Sequence, residues 1–245
     1  MSNKNPINYD KSLEYWADIP ATIDGVLGGF GFISNADIEG SKVFLNSIFS
    51  LKNPPSNNVA LDCGAGIGRI TKHLLIRYFE KVDVIEPDEK FISSLLDYVG
   101  DDKIKVGSLY KVSLQDFKPE RKYDIIWNQW VLGYLTDEDL ESYLICCRNA
   151  LSPNGVIVVK ENVTSTGKIE TDETDSSVTR PLKQYLQIFK RAKLKRIKQC
   201  KQTNFPNGIY PVYMIALIPD SHCVDQQLNV DISEPINPIK LQAEA

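Results

Sequence analysis

The stretch Val59-Ala60-Leu61-Asp62-Cys63-Gly64-Ala65-Gly66-Ile67-Gly68-Arg69 constrains the fold more than any other in these 245 residues. Its first half reads as a buried strand. The glycines at 64, 66 and 68 then read as a tight turn emptying into a helix that opens at about Arg69. Glycine tolerates positive φ and lets backbone N–H groups approach a ligand, and the helix N-terminus adds partial positive charge. Strand, glycine turn and helix in this order form the opening unit of an α/β nucleotide-type site.

The glycine spacing narrows the choice of nucleotide. A dinucleotide fingerprint has G-x-G-x-x-G, whereas this chain has G-x-G-x-G, which weakens the case for a pyrophosphate and hence for a dehydrogenase. The next strand, Val82 to Glu86, ends on a carboxylate 22 residues after Gly64. That matches the roughly 20-residue interval at which an acid meets a ribose hydroxyl. A ribose without a pyrophosphate suits S-adenosylmethionine (AdoMet). A glycine turn alone is also compatible with a plain strand-to-helix connection, so Glu86 carries much of the weight.

Composition bounds the rest. At 42% hydrophobic and 24% charged residues the chain can bury a full core as one large domain with additions. No apolar run approaches 18 residues and the first residues lack a secretory core, which predicts a soluble protein of the cytoplasm, extending to the nucleus, with no membrane contact. The five cysteines, Cys63, Cys146, Cys147, Cys200 and Cys223, form no C-x-x-C pair and read as reduced apolar residues. With His73 and His222 alone, a histidine-rich metal site is excluded, and no G-x-S-x-G elbow supports a hydrolase. A net charge of −4 argues against a general nucleic-acid binder. The basic stretch Lys190 to Lys198 reads as a solvated helix end running into a strand, although RNA docking or a nuclear address is the alternative.

Strand and helix patterns alternate from about Val59 to Val159, which implies a parallel sheet covered on both faces. Leu74 to Phe79 reads as a continuation of the first helix and Phe91 to Leu96 as a second. Tyr123 to Trp127 and Val156 to Val159 are short strands, and Ser152-Pro153-Asn154-Gly155 is a turn delivering the latter. Asp137 opens a helix, and Leu182 to Ala192 forms another. Lys195 to Lys201 and Tyr210 to Ile218 then close the sheet as an antiparallel pair. The expected division is an N-terminal segment over 1–14, one domain over 15–219 with a helical lid extension at 15–52, and a disordered tail over 220–245.

Leu61 to Lys72 resembles motif I of the protein α-N-terminal methyltransferases, which methylate exposed Xaa-Pro-Lys N-termini. Asp18 to Gly31, Leu114 to Phe117, Ile126 to Val131, Pro153 to Gly155 and Asp175 to Val178 resemble that family in the same order, over about Tyr15 to Pro219. Motif I alone indicates a methyltransferase; the Asp24–Gly31 and Asp175–Ser177 blocks point to this subgroup. The resemblance implies a Rossmann-like class I methyltransferase sheet, mostly parallel with an antiparallel closing hairpin. It also implies AdoMet as methyl donor, S-adenosylhomocysteine as product, and Xaa-Pro-Lys protein N-termini as partners, ribosomal proteins among them, acted on by a monomer.

Carried over residue by residue, Gly64, Gly66 and Arg69 would line the methionine end of the donor, with Arg69 offering a fork to its carboxylate. Glu86 would hold the ribose, beside Pro87 and Asp88. Leu114 and Gln115 would meet the adenine, though by position alone they read equally well as core and exposed loop. Gln129 would sit near the donor at the end of its strand. On the acceptor side Trp16 and Trp130 resemble the family's aromatic walls, suited to an ammonium and a proline ring. Strand alternation sends Trp127 to the opposite face from Trp130, into the core. Asn162 resembles the residue that binds the substrate backbone, and Asp172, Asp175 and Ser177 would form an acidic mouth for the third-position lysine. Leu27 would touch the bound N-terminus from a glycine-rich lid ordered by Asp24, a block that no Lys-Ser/Thr follows as a P-loop requires.

An amine must be neutral to attack, and a free α-amino group has a pKa of about 7.7–8.0. Asp175 is the expected proton acceptor. The chain departs from the family at Tyr134, where histidine is usual, and at Phe32, where a polar residue or histidine is expected. Tyrosine is a poor base at neutral pH but still donates a hydrogen bond. Two further readings stay open: a non-catalytic binding module that kept the cofactor fold, which Tyr134 favours, and an AdoMet-dependent enzyme for a small molecule, which the Asp24–Gly31 block and the Asp175 loop argue against; a dehydrogenase is a distant third.

Overall fold

The computed structural model describes residues 7–220. The expected tail from residue 221 on, with His222 and Cys223, and the first six residues lie outside the described residues, while Asp220, expected to begin that tail, is held by its N–H to the Lys193 carbonyl at 2.9 Å. Helix α1 (Tyr9–Asp18) starts under an Asn8 cap and runs across the expected division between residues 14 and 15. After the single turn α2 (Ile23–Val26), the longer α3 (Ser34–Phe49) leads to the sheet.

Strands β1 (Val59–Cys63), β2 (Lys81–Ile85), β3 (Val106–Tyr110), β4 (Tyr123–Gln129) and β5 (Leu151–Asn162) pair in parallel. All seven residues of β4 are buried, which is why it reads as an unbroken run. β6 (Glu170–Asp172) and β7 (Ser177–Thr179) form a separate antiparallel hairpin. β8 (Leu194–Lys201) and β9 (Val212–Pro219) return antiparallel, so the sheet order is β3-β2-β1-β4-β5-β9-β8. The order reverses between β1 and β4, and in open α/β sheets ligands bind in the crevice beyond the strand ends at such a reversal.

Side-chain alternation along the strands feeds two cores. Leu61 and Cys63 pack with Leu144 and Cys147 of α6 (Asp137–Asn149) and Ile188 and Phe189 of α7 (Leu182–Arg191). Ala60 packs on the other side with Ile48 of α3, Ile70 of α4 (Arg69–His73) and Leu95 of α5 (Glu89–Val99). Helices thus cover both faces, as expected.

Two local expectations need correction. Helix α4 stops at His73, and Leu75–Arg77 forms a 3₁₀ turn instead of continuing it. Leu74, Leu75 and Ile76 are all fully buried, and a helix with one buried face cannot hide three consecutive side chains. The turn at Ser152–Gly155 is a bulge inside β5 rather than a link before it, with Asn154 at φ 61° and the register to β4 shifting across it.

Candidate active site

The turn after β1 is shaped by what surrounds it. Gly64 sits at φ 66°, and a Cβ there would lie 2.5 Å from Val131 Cγ2. Gly66, at φ 56°, donates its N–H to Glu86 Oε2 at 2.8 Å, while Glu86 Oε1 accepts from Asp88 N at 2.9 Å. Glu86 therefore clasps the glycine turn to the loop after β2. Burial pushes its carboxyl up to about 7 despite those two donors.

A cleft opens above this turn, and Gly64, Gly66, Arg69, Glu86, Pro87, Asp88, Leu114, Gln115 and Gln129 all line it. Tyr9, Ser12, Leu13 and Trp16 of α1 line it as well, and of these only Trp16 was singled out in the sequence. Arg69 is not a free fork. Its Nη1 donates to Asp37 Oδ2 at 2.7 Å, its guanidinium lies 5.6 Å from the Trp130 ring centroid, and Gln129 Nε2 donates to both Asp37 oxygens at 2.9 Å. Asp37 is fully buried on α3. Burial pushes its carboxyl up, but Lys160 and Arg69 outweigh that and hold it below the usual carboxylate range. Trp127 is fully buried, as alternation predicts, and donates to Gln129 Oε1 at 3.0 Å.

A second cleft adjoins the first. It is lined by Trp16, Leu27, Trp130, Tyr134, Asn162, Asp172, Asp175 and Ser177, so every acceptor-side residue expected from the sequence comes together there. Trp16, Val26, Trp130 and Tyr134 face both clefts. Tyr134 donates to Asp175 Oδ2 at 2.6 Å, and Ser177 N to Asp175 Oδ1 at 3.0 Å. Burial first, and then Asp175, push the Tyr134 hydroxyl well above its ordinary value, so at neutral pH it is a donor. Ser12 of α1 holds the Asp175 carbonyl at 2.9 Å. Glu170, Glu173 and Tyr210 also line this cleft and were not foreseen. Glu161 was missed as well: its Oε1 accepts from Val131 N and Leu132 N, both at 2.8 Å, fixing the loop that carries Trp130 and Tyr134. The lid turn behaves as its sequence suggests, with Asp24 Oδ1 accepting from Gly31 N at 2.9 Å. Phe32 is not in either cleft; it is 71% exposed and touches Phe30.

Residues 4–218 match the family described as AdoMet dependent proline di-methyltransferase. The chain belongs to that family. Among similar proteins are alpha N-terminal protein methyltransferase 1 of Drosophila melanogaster, 47% identical over 87% of this chain and 77% of that one, and N-terminal Xaa-Pro-Lys N-methyltransferase 1 of Xenopus tropicalis, 45% identical over 85% and 94%. A solved SAM-dependent methyltransferase from Leishmania major is 38% identical and superimposes with a TM-score of 0.80 over 85% of this chain and 82% of that one. The protein is an AdoMet-dependent methyltransferase.

The first cleft of this methyltransferase fits the donor. Gly64 and Gly66 line it without side chains, and the buried carboxyl of Glu86 lines it beside them. Trp130 Nε1 is a buried donor, and the only buried side-chain N or O atom without a partner among the described residues. Trp130 also holds φ 54°, a strained conformation for a bulky residue of the kind that collects at functional sites. Among the described residues no group of His, Cys, Asp and Glu could hold a metal, and no helix is long and apolar enough to cross a membrane.

Proposed function

We propose that this enzyme methylates the free α-amino group of proteins beginning Xaa-Pro-Lys. The observation that carries this reading is the pair of clefts sharing Trp16, Val26, Trp130 and Tyr134, the second opening onto Asp172 and Asp175. Bound AdoMet supplies an electrophilic sulfonium methyl. Gly64, Gly66, Arg69 and Gln129 hold its methionine end, Glu86 its ribose, and Leu114 and Gln115 its adenine. Trp16 and Trp130 wall the proline ring and the amine, and Leu27 closes over them from the lid. Asn162 anchors the substrate backbone, while Asp172, Asp175 and Ser177 receive the lysine.

Asp175 removes the amine proton, directly or through water, with Tyr134 steadying its carboxylate by donating a hydrogen bond. Most of the acceleration comes from positioning the amine in a site shielded by α1 and the lid. The name of the Drosophila relative supports a protein α N-terminus as acceptor, and that of the Xenopus relative an Xaa-Pro-Lys one. Ribosomal proteins that begin this way are the first candidates, with the enzyme acting as a monomer in cytoplasm or nucleus.

The test is methyl transfer from labelled AdoMet to Ser-Pro-Lys and Ala-Pro-Lys peptides. Turnover is expected with the free N-terminus and abolished by Pro-Glu in place of Pro-Lys, which sets like charges together at the acidic mouth. Methylation of an N-acetylated control would make a side chain the acceptor and end this reading.

A further inference from the structure

Lys160 lies at the C-terminal end of β5, is fully buried, and takes no part in the functional reading so far. Its Nζ meets Asp37 Oδ1 at 2.5 Å, the Asp37 carbonyl at 3.0 Å, Ser41 Oγ at 2.9 Å and Gln202 Oε1 at 2.9 Å. The orientation of the Gln202 amide is fixed, because its Nε2 donates to the carbonyls of Ala36 and Thr203. Three of the four neighbours of Nζ are therefore obligate acceptors. A neutral amine has only two N–H groups for these three acceptors, so the cluster is satisfied by the ammonium, which Asp37 favours although burial pulls the Lys160 pKa below its ordinary value.

Asp37 is thus the sole carboxylate shared by two buried cations, Lys160 and Arg69. The cluster carries one positive charge in excess. Its polar members Gln129, Ser41 and Gln202 are uncharged, and no other carboxylate forms an ion pair with Arg69 or Lys160 among the described residues; Asp62, which also lines the cleft, acts on Arg69 only from beyond ion-pair distance and accepts from Thr71 Oγ1 at 2.6 Å. An unbalanced buried charge is costly unless something neutralises it, and only one side of the cluster is open: Arg69 and Gln129 line the donor cleft, while Lys160 lies behind them.

We propose that Lys160 is a positioning and charge-setting residue for donor recognition. By occupying Asp37 from behind, it leaves Arg69 with uncompensated charge that the donor's carboxylate neutralises. This rests on reading the first cleft as the AdoMet site. It makes Lys160 a determinant of specificity for donors that carry a carboxylate, although it does not itself line the cleft.

The test uses the full chain and two probes, S-adenosylhomocysteine and its decarboxylated analogue, titrated calorimetrically without peptide. Wild type is expected to favour the carboxylate-bearing ligand strongly. Lys160→Met removes the excess charge and should cut that preference by about tenfold, the effect of one unit charge within about 10 Å at an effective dielectric constant of about 20. Asp37→Asn, which keeps an acceptor oxygen while adding net positive charge, should shift the preference the other way.

Opposite shifts in the two variants are what a charge-setting role requires. Equal losses for both ligands in both variants would mean a merely structural role and would overturn the proposal. If Lys160→Met fails to fold, Asp37→Asn decides alone: an unchanged or reduced preference refutes the idea. A wild type that binds neither ligand would instead refute the donor reading itself, whereas normal binding with an unmoved preference in the variants refutes only the role of Lys160.

Discussion

Asp175 and Tyr134 share one hydrogen bond, and the two ends of it should respond very differently to removal. Tyr134→Phe deletes a 2.6 Å donor to Asp175 Oδ2, but Asp175 is only half-buried and keeps the Ser177 N–H on its other oxygen. Water can replace the lost hydroxyl, so the net cost is that of an ordinary hydrogen bond, about 0.5–1.5 kcal/mol, or roughly a two- to tenfold fall in kcat/KM. Asp175→Asn keeps the shape and the loop contacts but removes the proton acceptor, which should lower kcat by roughly 10²–10⁴ with donor affinity nearly intact. Tyr134→His should hold or raise activity and move the pH profile toward neutral, because imidazole has a reference pKa of about 6.5. The assay is steady-state methyl transfer to a Ser-Pro-Lys peptide at saturation between pH 6 and 9, with calorimetry on S-adenosylhomocysteine as the binding control. If Tyr134→Phe loses as much as Asp175→Asn, the phenol acts in the chemistry and the assignment of roles is wrong. If Asp175→Asn retains near-full activity across that range, the proton leaves in solution and Asp175 serves only to recognise lysine.

Glu86, raised to about 7 by burial, accepts a ribose hydroxyl more strongly when ionised, and both its oxygens already take a backbone N–H, so donor affinity should be full above that pH and fall as pH drops through it, by up to about tenfold between pH 8 and pH 6. Calorimetry at the two pH values checks this, and a Glu86→Gln variant with the same pH dependence would assign the titration elsewhere. Gly64→Ala places a methyl 2.5 Å from Val131 Cγ2 at φ 66°, which should cost roughly 2–4 kcal/mol and lower Tm by roughly 4–16 °C. A melting curve within a degree of wild type would show that the turn relaxes freely.

The sequence was most informative where chemistry is local. The glycine turn, Glu86 at its interval, the run of β4 and the helix start at Asp137 each depend on neighbours within a few residues or one strand-to-strand repeat. What it hid was pairing at a distance. Asp37 reads as one more acid in a polar helix start, and only the folded chain brings it to Lys160, 123 positions on, and to Arg69, 32 positions on. A lysine closing an apolar strand at Val156 to Val159 was the available signal, and it gave no hint of its partner. Arg69 was legible as a cleft residue but not as one already engaged. Helix α4 was overextended because a run of apolar residues does not reveal that burial on all sides, rather than on one stripe, decides its conformation.

Helix α1 is synthesised before any strand of the sheet, yet what fastens it emerges late. Lys90 caps its last turn through the carbonyls of Trp16, Ala17 and Ile19, Thr136 N and Asp139 hold Tyr9, and Ser176 Oγ and the Asp175 carbonyl hold Asn8 and Ser12. The longest of these links spans 168 positions. Gln202 must likewise reach back to Ala36 across 166. Contacts of such separation form slowly and only after the intervening chain has closed. During translation the first helix must therefore wait, unattached at one end, until the segment around Ser176 has left the ribosome. A nascent chain of this enzyme has its glycine turn early and its roof fastened late, so it gains a closed donor chamber only after Asp175 and Ser176 have emerged.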